Sequence, residues 1–262
     1  MIRLATWNVN SIRIRLPLLE KLVEKENPNL ICLQEVKAKE ADFPFEDIKK
    51  LGFENIALYS MPGYNGVAIL SKLPLDNIAQ HQHVGKDDAR HISALVDNKF
   101  EVHNIYVPAG GDVPDAKINP SFEHKLNFVD EAAKFFSTKN SKPRLLCGDF
   151  NIAPSENDVW SHKALLQTVS HTPIEVEKLE NFFKRGKFAD AIRAYFSESE
   201  KIYSWWSYRN PNWATNDKGR RLDHVWVDKE LLPAISKAKI CKYFRAEQRP
   251  SDHVPVIVEL KI

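Results

Sequence analysis

Short clusters of carboxylates, carboxamides and one histidine border apolar runs along the whole sequence. The clusters are Asn8 with Asn10, Glu35, Asp149 with Asn151, Asp223, and Asp252 with His253. The apolar runs are typical of β-strands, and sheet-based enzymes bind ligands beyond strand ends, where rigid backbone aims side chains into one crevice. Oxygen ligands suit a hard divalent cation, and such a cation activates water for attack on a phosphate ester. The sequence therefore predicts a metal-assisted phosphoesterase site.

Basic residues stand next to these clusters, although the net charge of the 262-residue chain is only +2. They are Arg13, Arg15, Lys37, Lys39, Lys218, Arg220 and Arg221. A single pair of such residues commonly forms only a solvated surface. Three groups beside three of the clusters instead favour a substrate with a phosphate backbone.

The composition indicates a globular protein of one domain spanning residues 1–262, because no Gly/Ser-rich linker divides it. Cys32, Cys147 and Cys241 have no C-x-x-C spacing, so we interpret them as buried thiols, not as disulfide partners or zinc ligands. Apolar runs of about four residues are far too short for a membrane span, and the N-terminus lacks a signal-peptide pattern. We expect a cytoplasmic monomer without a membrane partner.

The hydrophobic pattern predicts more strands than helices. Helices are predicted at 11–25, 45–51, 121–136, 174–184 and 188–195. Strands are predicted at 2–7, 30–34, 55–60, 66–71, 91–97, 100–107, 144–148, 222–227, 235–241 and 254–260. Hairpin-like connections argue against a parallel doubly wound sheet. They favour an α/β fold in which helices flank two packed, mostly antiparallel sheets, with the site between the sheets.

The motifs and their order resemble the exonuclease III family of abasic-site endonucleases, within the endonuclease/exonuclease/phosphatase superfamily. The matching segments are 7–10, 33–35, 66–71, 104–108, 148–151, 222–224 and 252–253. This resemblance extends from residue 2 to residue 260. It implies a four-layered α/β sandwich that hydrolyses phosphodiester bonds in DNA with Mg²⁺, for which Mn²⁺ can substitute.

The resemblance also implies a role for each motif residue. The implied metal ligands are Asn8, Glu35, Asp149, Asn151, Asp252 and His253, with Glu35 the principal one. The implied catalytic residues are Tyr106, Asp149, Asn151, Asp223 and His253. His253 would assist attack while Asp223 fixes its tautomer. Asp149 would act either as general base on water or as proton donor to the leaving 3′ oxygen.

Recognition of DNA is assigned to residues beside the motifs, namely Asn10, Arg90, Trp206, Trp213, Arg220 and Arg221. Aromatic residues among basic ones can stack on bases or line a pocket for a base-less sugar. Trp206 resembles the pocket-lining aromatic of the family, and Trp213 lies in a turn-rich loop where it can face DNA. Trp226, inside an apolar strand, is predicted to be core. Asn10 replaces an aspartate that some relatives carry.

The other histidines are interpreted as structural; they are His81, His83, His103, His124, His162 and His171. His91 follows Arg90 at the start of a strand, so it is interpreted as either structural or phosphate-positioning.

The predicted function is incision of double-stranded DNA 5′ to an abasic site during base excision repair. Removal of 3′-blocking groups as a 3′-phosphodiesterase would accompany it, with 3′→5′ exonuclease action as a further activity. One alternative is a phosphatase or phosphodiesterase acting on inositol phosphates, sphingomyelin or RNA tails, which leaves the aromatic and basic segment 203–221 unexplained. The other is a non-catalytic nucleic-acid-binding relative, which would be expected to have lost its acidic ligands.

Overall fold

The computed structural model describes residues 1–138 and 141–262. Its strands are β1 Ile2–Asn8, β2 Leu30–Gln34, β3 Asn55–Tyr59, β4 Val67–Ser71, β5 Leu75–Gln80, β6 His91–Val96, β7 Phe100–Tyr106, β8 Arg144–Asp149, β9 Phe188–Asp190, β10 Asp223–Asp228, β11 Ile235–Ile240 and β12 Val256–Leu260. Its α-helices are α1 Ile12–Glu26, α2 Phe45–Lys50, α3 Pro120–Phe135, α4 His162–Leu165, α5 Pro173–Gly186 and α6 Trp213–Asn216. No helix of this described part is both long and apolar enough to cross a membrane.

The strands form two six-stranded sheets, ordered β11-β12-β1-β2-β4-β3 and β5-β6-β7-β8-β10-β9. Each sheet contains one parallel pair, β1 with β2 and β7 with β8, and its other pairs are antiparallel. The predicted class, α/β with two packed, mostly antiparallel sheets, is confirmed. Strand β5 was not predicted, because this edge strand is largely exposed and lacks an apolar alternation.

Three apolar layers hold the sheets and helices together. Leu4 and Val258 of the first sheet pack against Val102 and Val225 of the second in the central layer. A second layer joins the first sheet to α1 and α2, and a third joins the second sheet to α3 and α5, where Trp226 lies as predicted. The result is the expected four-layered α/β sandwich, in which each sheet packs against the other sheet on one face and against helices on its other face.

The helix predicted at 188–195 is wrong. Phe188–Asp190 pairs antiparallel with β10, and the Asp190 side chain then accepts hydrogen bonds from the backbone N–H groups of Ile192 and Arg193. The apolar residues of this segment have helical spacing, but backbone pairing to a buried neighbouring strand outweighs that local preference.

The predicted site motifs meet at one edge of the sandwich. Asn8 lies opposite Gln34 on β1 and β2, and Tyr106 lies opposite Asp149 on β7 and β8. Strand β10 runs the other way, so its first residue, Asp223, pairs with Asp149. The motifs therefore converge because parallel strands end, and antiparallel strands begin, at the same edge.

Candidate active site

Left-handed backbone turns the chain sharply just after three of the strands. Asn10, Glu35 and Asn151 have φ angles of 46°, 50° and 52°. Non-glycine residues adopt such angles at a cost, and they concentrate at functional sites. At Gly148, just before Asp149, there is no room for a side chain, because a Cβ there would lie 1.9 Å from the carbonyl oxygen of Ile105.

Glu35 is held in a polar cage at the end of the first sheet. Its Oε1 accepts hydrogen bonds from Asn8 Nδ2 at 2.8 Å and from the Tyr106 hydroxyl at 2.7 Å. Its Oε2 lies 2.6 Å from Lys37 Nζ, which also donates to Asn10 Oδ1 at 2.7 Å. Burial alone would raise the pKa of Glu35, but Lys37 and these donors outweigh it and lower that pKa. Glu35 is therefore an ionised, oriented carboxylate.

Two aspartates of the second sheet, Asp149 of β8 and Asp223 of β10, flank the buried His253, which lies in the loop before β12 of the first sheet. His253 Nδ1 lies 2.8 Å from Asp223 Oδ2, and His253 Nε2 lies 3.5 Å from Asp149 Oδ2. Asp149 Oδ2 also accepts from Asn8 Nδ2 at 2.9 Å and from Asn151 Nδ2 at 3.2 Å. The predicted contact in which Asp223 orients His253 is thus present, and Asn8 links Asp149 of one sheet to Glu35 of the other.

These contacts determine the protonation of the histidine. Burial would lower the pKa of His253, but Asp223 and Asp149 outweigh it and raise the pKa to about 10. Burial raises the pKa of Asp149 to about 7, with His253 opposing that rise. His253 is therefore an imidazolium at neutral pH, beside a carboxyl that changes protonation near neutrality.

The donor set suits a hard cation. Glu35 Oε2 and Asn10 Oδ1 already hold one positive group, the Lys37 ammonium. Asp223 Oδ1 is buried and, within the described residues, without a hydrogen-bond partner. Carboxylate oxygens of Asp149 and Asp223 lie within 4.8 Å of each other, close enough to share an ion. The His253 imidazolium offers no lone pair to a metal in this protonation state, so its service as a ligand stays a prediction. Carboxylate and amide oxygens therefore fit Mg²⁺ at this edge.

Two of the predicted ligands have other partners in this arrangement. Asn8 turns its NH₂ group toward Glu35 and Asp149, because carboxylates only accept hydrogen bonds. Asp252 accepts from Asn10 Nδ2 at 3.2 Å and from Trp205 Nε1 at 2.9 Å. Asn8 and Asp252 therefore support the site's geometry here, and their service as metal ligands stays a prediction.

A cleft of about 580 Å³ opens over these groups. Among its lining residues are Glu35, Tyr106, Asn151, Asp252 and His253, together with Trp160, Trp205, Lys218 and Arg220. The Lys218 ammonium lies over the Trp160 ring at 4.7 Å, and the Arg220 guanidinium lies over the Trp205 ring at 5.1 Å. The cleft therefore combines the catalytic groups with aromatic faces and positive charge.

The structure contradicts the predicted DNA contacts of Trp206 and Arg221. Trp206 is fully buried in the core beside α1, and its Nε1 donates to Asp217, so it cannot line a DNA pocket. Arg221 is 2% exposed and forms ion pairs with Asp158 and Asp190, so its role is structural. Their neighbours Trp205 and Arg220 occupy the cleft instead.

The remaining recognition residues have mixed positions. Arg90 stacks on the Tyr106 ring at 4.7 Å and pairs with Asp88. Trp213 is partly buried against Trp206 and Arg245, on α6. Contact of Arg90, Trp213 or Asn10 with DNA stays a prediction. His91 is fully buried among other histidines, which contradicts its phosphate-positioning interpretation and supports the structural one.

A second cavity, of about 600 Å³, lies beside α5 and lacks the catalytic groups. Its charged lining is internally paired, with Asp158 bound by Arg193 and Arg221. We therefore locate the reaction in the cleft at the strand ends.

Comparison with known proteins agrees with this geometry. Residues 5–253 match the Endonuclease/Exonuclease/phosphatase family. The chain is 29% identical to exodeoxyribonuclease III of Haemophilus influenzae, over 98% of each chain. An AP endonuclease from Archaeoglobus fulgidus superposes with a TM-score of 0.93 at 26% identity, covering 100% of both chains. A 3′ phosphatase from Neisseria, solved with a product DNA hairpin, superposes with a TM-score of 0.91 at 26% identity and the same coverage. The chain belongs to the endonuclease/exonuclease/phosphatase family of hydrolases, in its branch of exodeoxyribonuclease III and AP endonucleases, and is an enzyme of the nuclease class.

Proposed function

We propose that this nuclease is Mg²⁺-dependent and incises double-stranded DNA 5′ to abasic sites in base excision repair. The same site would remove 3′-blocking groups and degrade 3′ ends. The observation that carries this proposal is the buried Asp149–His253–Asp223 group, which opens onto a cleft with Trp205 and Arg220 in its wall. A phosphodiester seated over His253 would place its flanking sugar against those aromatic and basic side chains.

Each group in the cleft then has a distinct task. The His253 imidazolium donates toward the phosphate oxygens and stabilises the negative charge that grows during attack. Asp223 holds the ring in position through Nδ1. Tyr106 donates to Glu35, so it keeps that carboxylate oriented. When bound, a divalent cation supplies Lewis-acid stabilisation of the phosphate, and Glu35 with Asn10 or Asp149 would hold it.

Asp149 moves the proton in this mechanism. A carboxyl with a pKa of about 7 can take a proton from water or give one to the leaving 3′ oxygen. The pH dependence of single-turnover cleavage separates the two roles. As a base, Asp149 must be ionised, so the rate rises with pH through neutrality; as an acid, it must be protonated, so the rate falls over the same range.

The function is tested with purified protein and duplex oligonucleotides that carry an abasic site, a 3′ phosphate, a nick or no lesion. We expect cleavage 5′ to the abasic site with Mg²⁺, none in EDTA, and a higher Mg²⁺ requirement for Glu35→Gln with the fold intact. Cleavage by the verified metal-free protein would refute the metal dependence. Indifference to abasic DNA combined with dephosphorylation of an inositol phosphate would refute the DNA substrate.

Trp205 tests the recognition wall. Loss of an aromatic stacking partner typically costs about 1–3 kcal/mol, roughly a ten- to hundredfold weakening, so Trp205→Ala should weaken binding of abasic DNA to that extent. Trp205→Phe keeps a ring and should retain most of the affinity. The exposed Tyr195, which does not line the cleft, provides the control Tyr195→Ala. Equal affinity of Trp205→Ala and wild type would remove Trp205 from the recognition surface.

A further inference from the structure

A cluster of four histidines, three of them buried and one partly exposed, lies between the second sheet and the C-terminal turn of α3. Its members are His81 just after β5, His83 in the following loop, His91 at the start of β6, and His103 in β7. The rings lie close to Phe128, Phe135 and Phe136. None of these histidines lines the catalytic cleft.

Three of the histidines each direct one ring nitrogen to an outer partner. The three contacts are His91 Nδ1 to His83 Nε2 at 3.0 Å, His103 Nε2 to Glu101 Oε2 at 3.4 Å, and His81 Nε2 to Ser93 Oγ at 2.8 Å. Histidines that bind metals show this pattern, in which the outer nitrogen is held by a neighbour and the inner nitrogen faces the ion. Two hydrogen bonds and one ion-pair contact therefore already orient the rings of His81, His91 and His103.

The inner nitrogens of two of these histidines meet, and the third histidine lies near them. His91 Nε2 and His103 Nδ1 are 3.0 Å apart, and His81, held through Nε2, retains Nδ1. One ligand-capable atom from each of the three histidines lies within 4.8 Å of the others. Zinc–nitrogen bonds of about 2.0–2.1 Å in a tetrahedral site separate ligand nitrogens by roughly 3.3 Å. His91 and His103 are thus nearly placed, and binding would draw in the partly exposed His81.

The surroundings favour neutral imidazole, the form that binds metals. Burial lowers the pKa of His81 to about 4, and burial also lowers the pKa values of His91 and His103. The lone pairs are consequently available at neutral pH. Nitrogen ligands among apolar rings suit borderline transition ions and not Mg²⁺, which prefers oxygen.

We propose that His81, His91 and His103 form a second metal site that takes a divalent transition ion, foremost Zn²⁺. His83 and Glu101 orient two of the ligand histidines, and the partly exposed His81 closes the site from the solvent side. This site differs from the catalytic centre in ligand type, and it is occupied independently of Mg²⁺.

The experiment titrates the full chain with Zn²⁺ against a chromophoric competitor, and with Co²⁺ while its visible absorption is recorded. Excess Mg²⁺ is present, and both titrations are repeated in the His253→Ala variant, which disables the only other histidine-containing ligand group found among the described residues. We expect one ion per chain, tetrahedral Co²⁺ absorption, and a rise in melting temperature with Zn²⁺.

Two substitutions test the assignment. His81→Gln removes a partly exposed ligand and should abolish the Co²⁺ absorption while the metal-free melting temperature stays close to that of wild type. Glu101→Gln should weaken Zn²⁺ binding about ten- to hundredfold, as loss of an outer partner typically does. His162→Gln, which changes a more exposed histidine outside the cluster, is the matched control.

The proposal fails if wild-type protein binds no Zn²⁺ in excess Mg²⁺, or if His81→Gln binds it as tightly as wild type. It also fails if His162→Gln loses as much affinity as His81→Gln. Because the readouts are metal binding and melting temperature, these outcomes do not depend on the proposed nuclease activity.

Discussion

Histidines at two places in this protein have opposite protonation. Asp223 and Asp149 flank His253 and raise its pKa to about 10, against the effect of its burial. His81 is surrounded mainly by other imidazoles and by Phe135, and burial lowers its pKa to about 4. Burial acts in the same direction on both, so the neighbours decide the outcome. The charged histidine suits stabilisation of a phosphate, and the neutral ones suit coordination of a metal.

The largest expected effect on cleavage comes from replacing Asp149, the titratable carboxyl beside His253. Asp149→Asn keeps the shape of the side chain but cannot transfer a proton, so single-turnover cleavage should fall about 10²–10⁴-fold. DNA binding, measured separately by fluorescence anisotropy, should change far less. A variant that cleaves within a few fold of wild type would exclude Asp149 from the chemistry.

A double-mutant cycle tests whether Asp223 and His253 work as a unit. If Asp223 acts through His253, adding Asp223→Asn to His253→Ala should lower the cleavage rate little beyond His253→Ala alone. The comparable pair in the neutral cluster, His91 and His103, should leave the catalytic rate unchanged when altered. Fully multiplicative losses in the catalytic pair would show that Asp223 has an independent role.

The pH dependence of stability should differ in sign between the two groups. His253 has a raised pKa, so its contribution is present below the unfolded value of 6.5 and is lost as pH rises toward about 10. His81 has a lowered pKa, so its contribution is present above 6.5 and is lost as pH falls toward about 4. Urea unfolding of wild type, His253→Gln and His81→Gln in EDTA measures both trends. Parallel pH curves for wild type and either variant would contradict the corresponding pKa shift.

The smallest effect is expected at Ser93, which is buried and holds His81 at 2.8 Å. Ser93→Ala removes one neutral hydrogen bond, so the free energy of unfolding should fall by about 0.5–1.5 kcal/mol. Cleavage should be unaffected. A loss of several kcal/mol would mean that the histidine cluster is held together more cooperatively than its pairwise contacts indicate.

Much of the fold and of the catalytic centre could be predicted from sequence because each motif follows or precedes a strand. Asn8, Glu35, Asp149 and Asp223 lie at strand ends in the structure, and the sheet topology brings those ends together. The polar residues at strand ends can be recognised from neighbouring residues in the sequence. The contacts between motifs cannot, because they join residues that are distant in the sequence. The roles of the individual residues stay predictions until they are tested by substitution.

The two wrong recognition assignments, Trp206 and Arg221, share one physical cause. Trp205 and Trp206 are adjacent in extended backbone, as are Arg220 and Arg221, and successive side chains of such a segment point in opposite directions. One member of each pair faces the cleft and the other is buried, and composition alone does not tell which.

Lys37 was recognised only as a nearby basic residue, because its bridge from Glu35 to Asn10 depends on two turns meeting. Trp160 was not connected with the site, because nothing near it in the sequence resembles a motif. The histidine cluster did carry a signal, since His81 and His83 are two apart, as are His91 and Ser93, and Glu101 and His103. Within β6 and β7, two-residue spacing places such side chains on one face of the sheet.

Asn8 links the two sheets, so its hydrogen bonds depend on how the sheets are positioned relative to each other. Its Nδ2 donates to Glu35 of one sheet and to Asp149 of the other, at 2.8 and 2.9 Å. A slip of about an ångström between the sheets would break one of these bonds while leaving every strand intact. Heating, or a substitution that creates a cavity in the apolar layer between the sheets, should therefore abolish nuclease activity before the molecule unfolds.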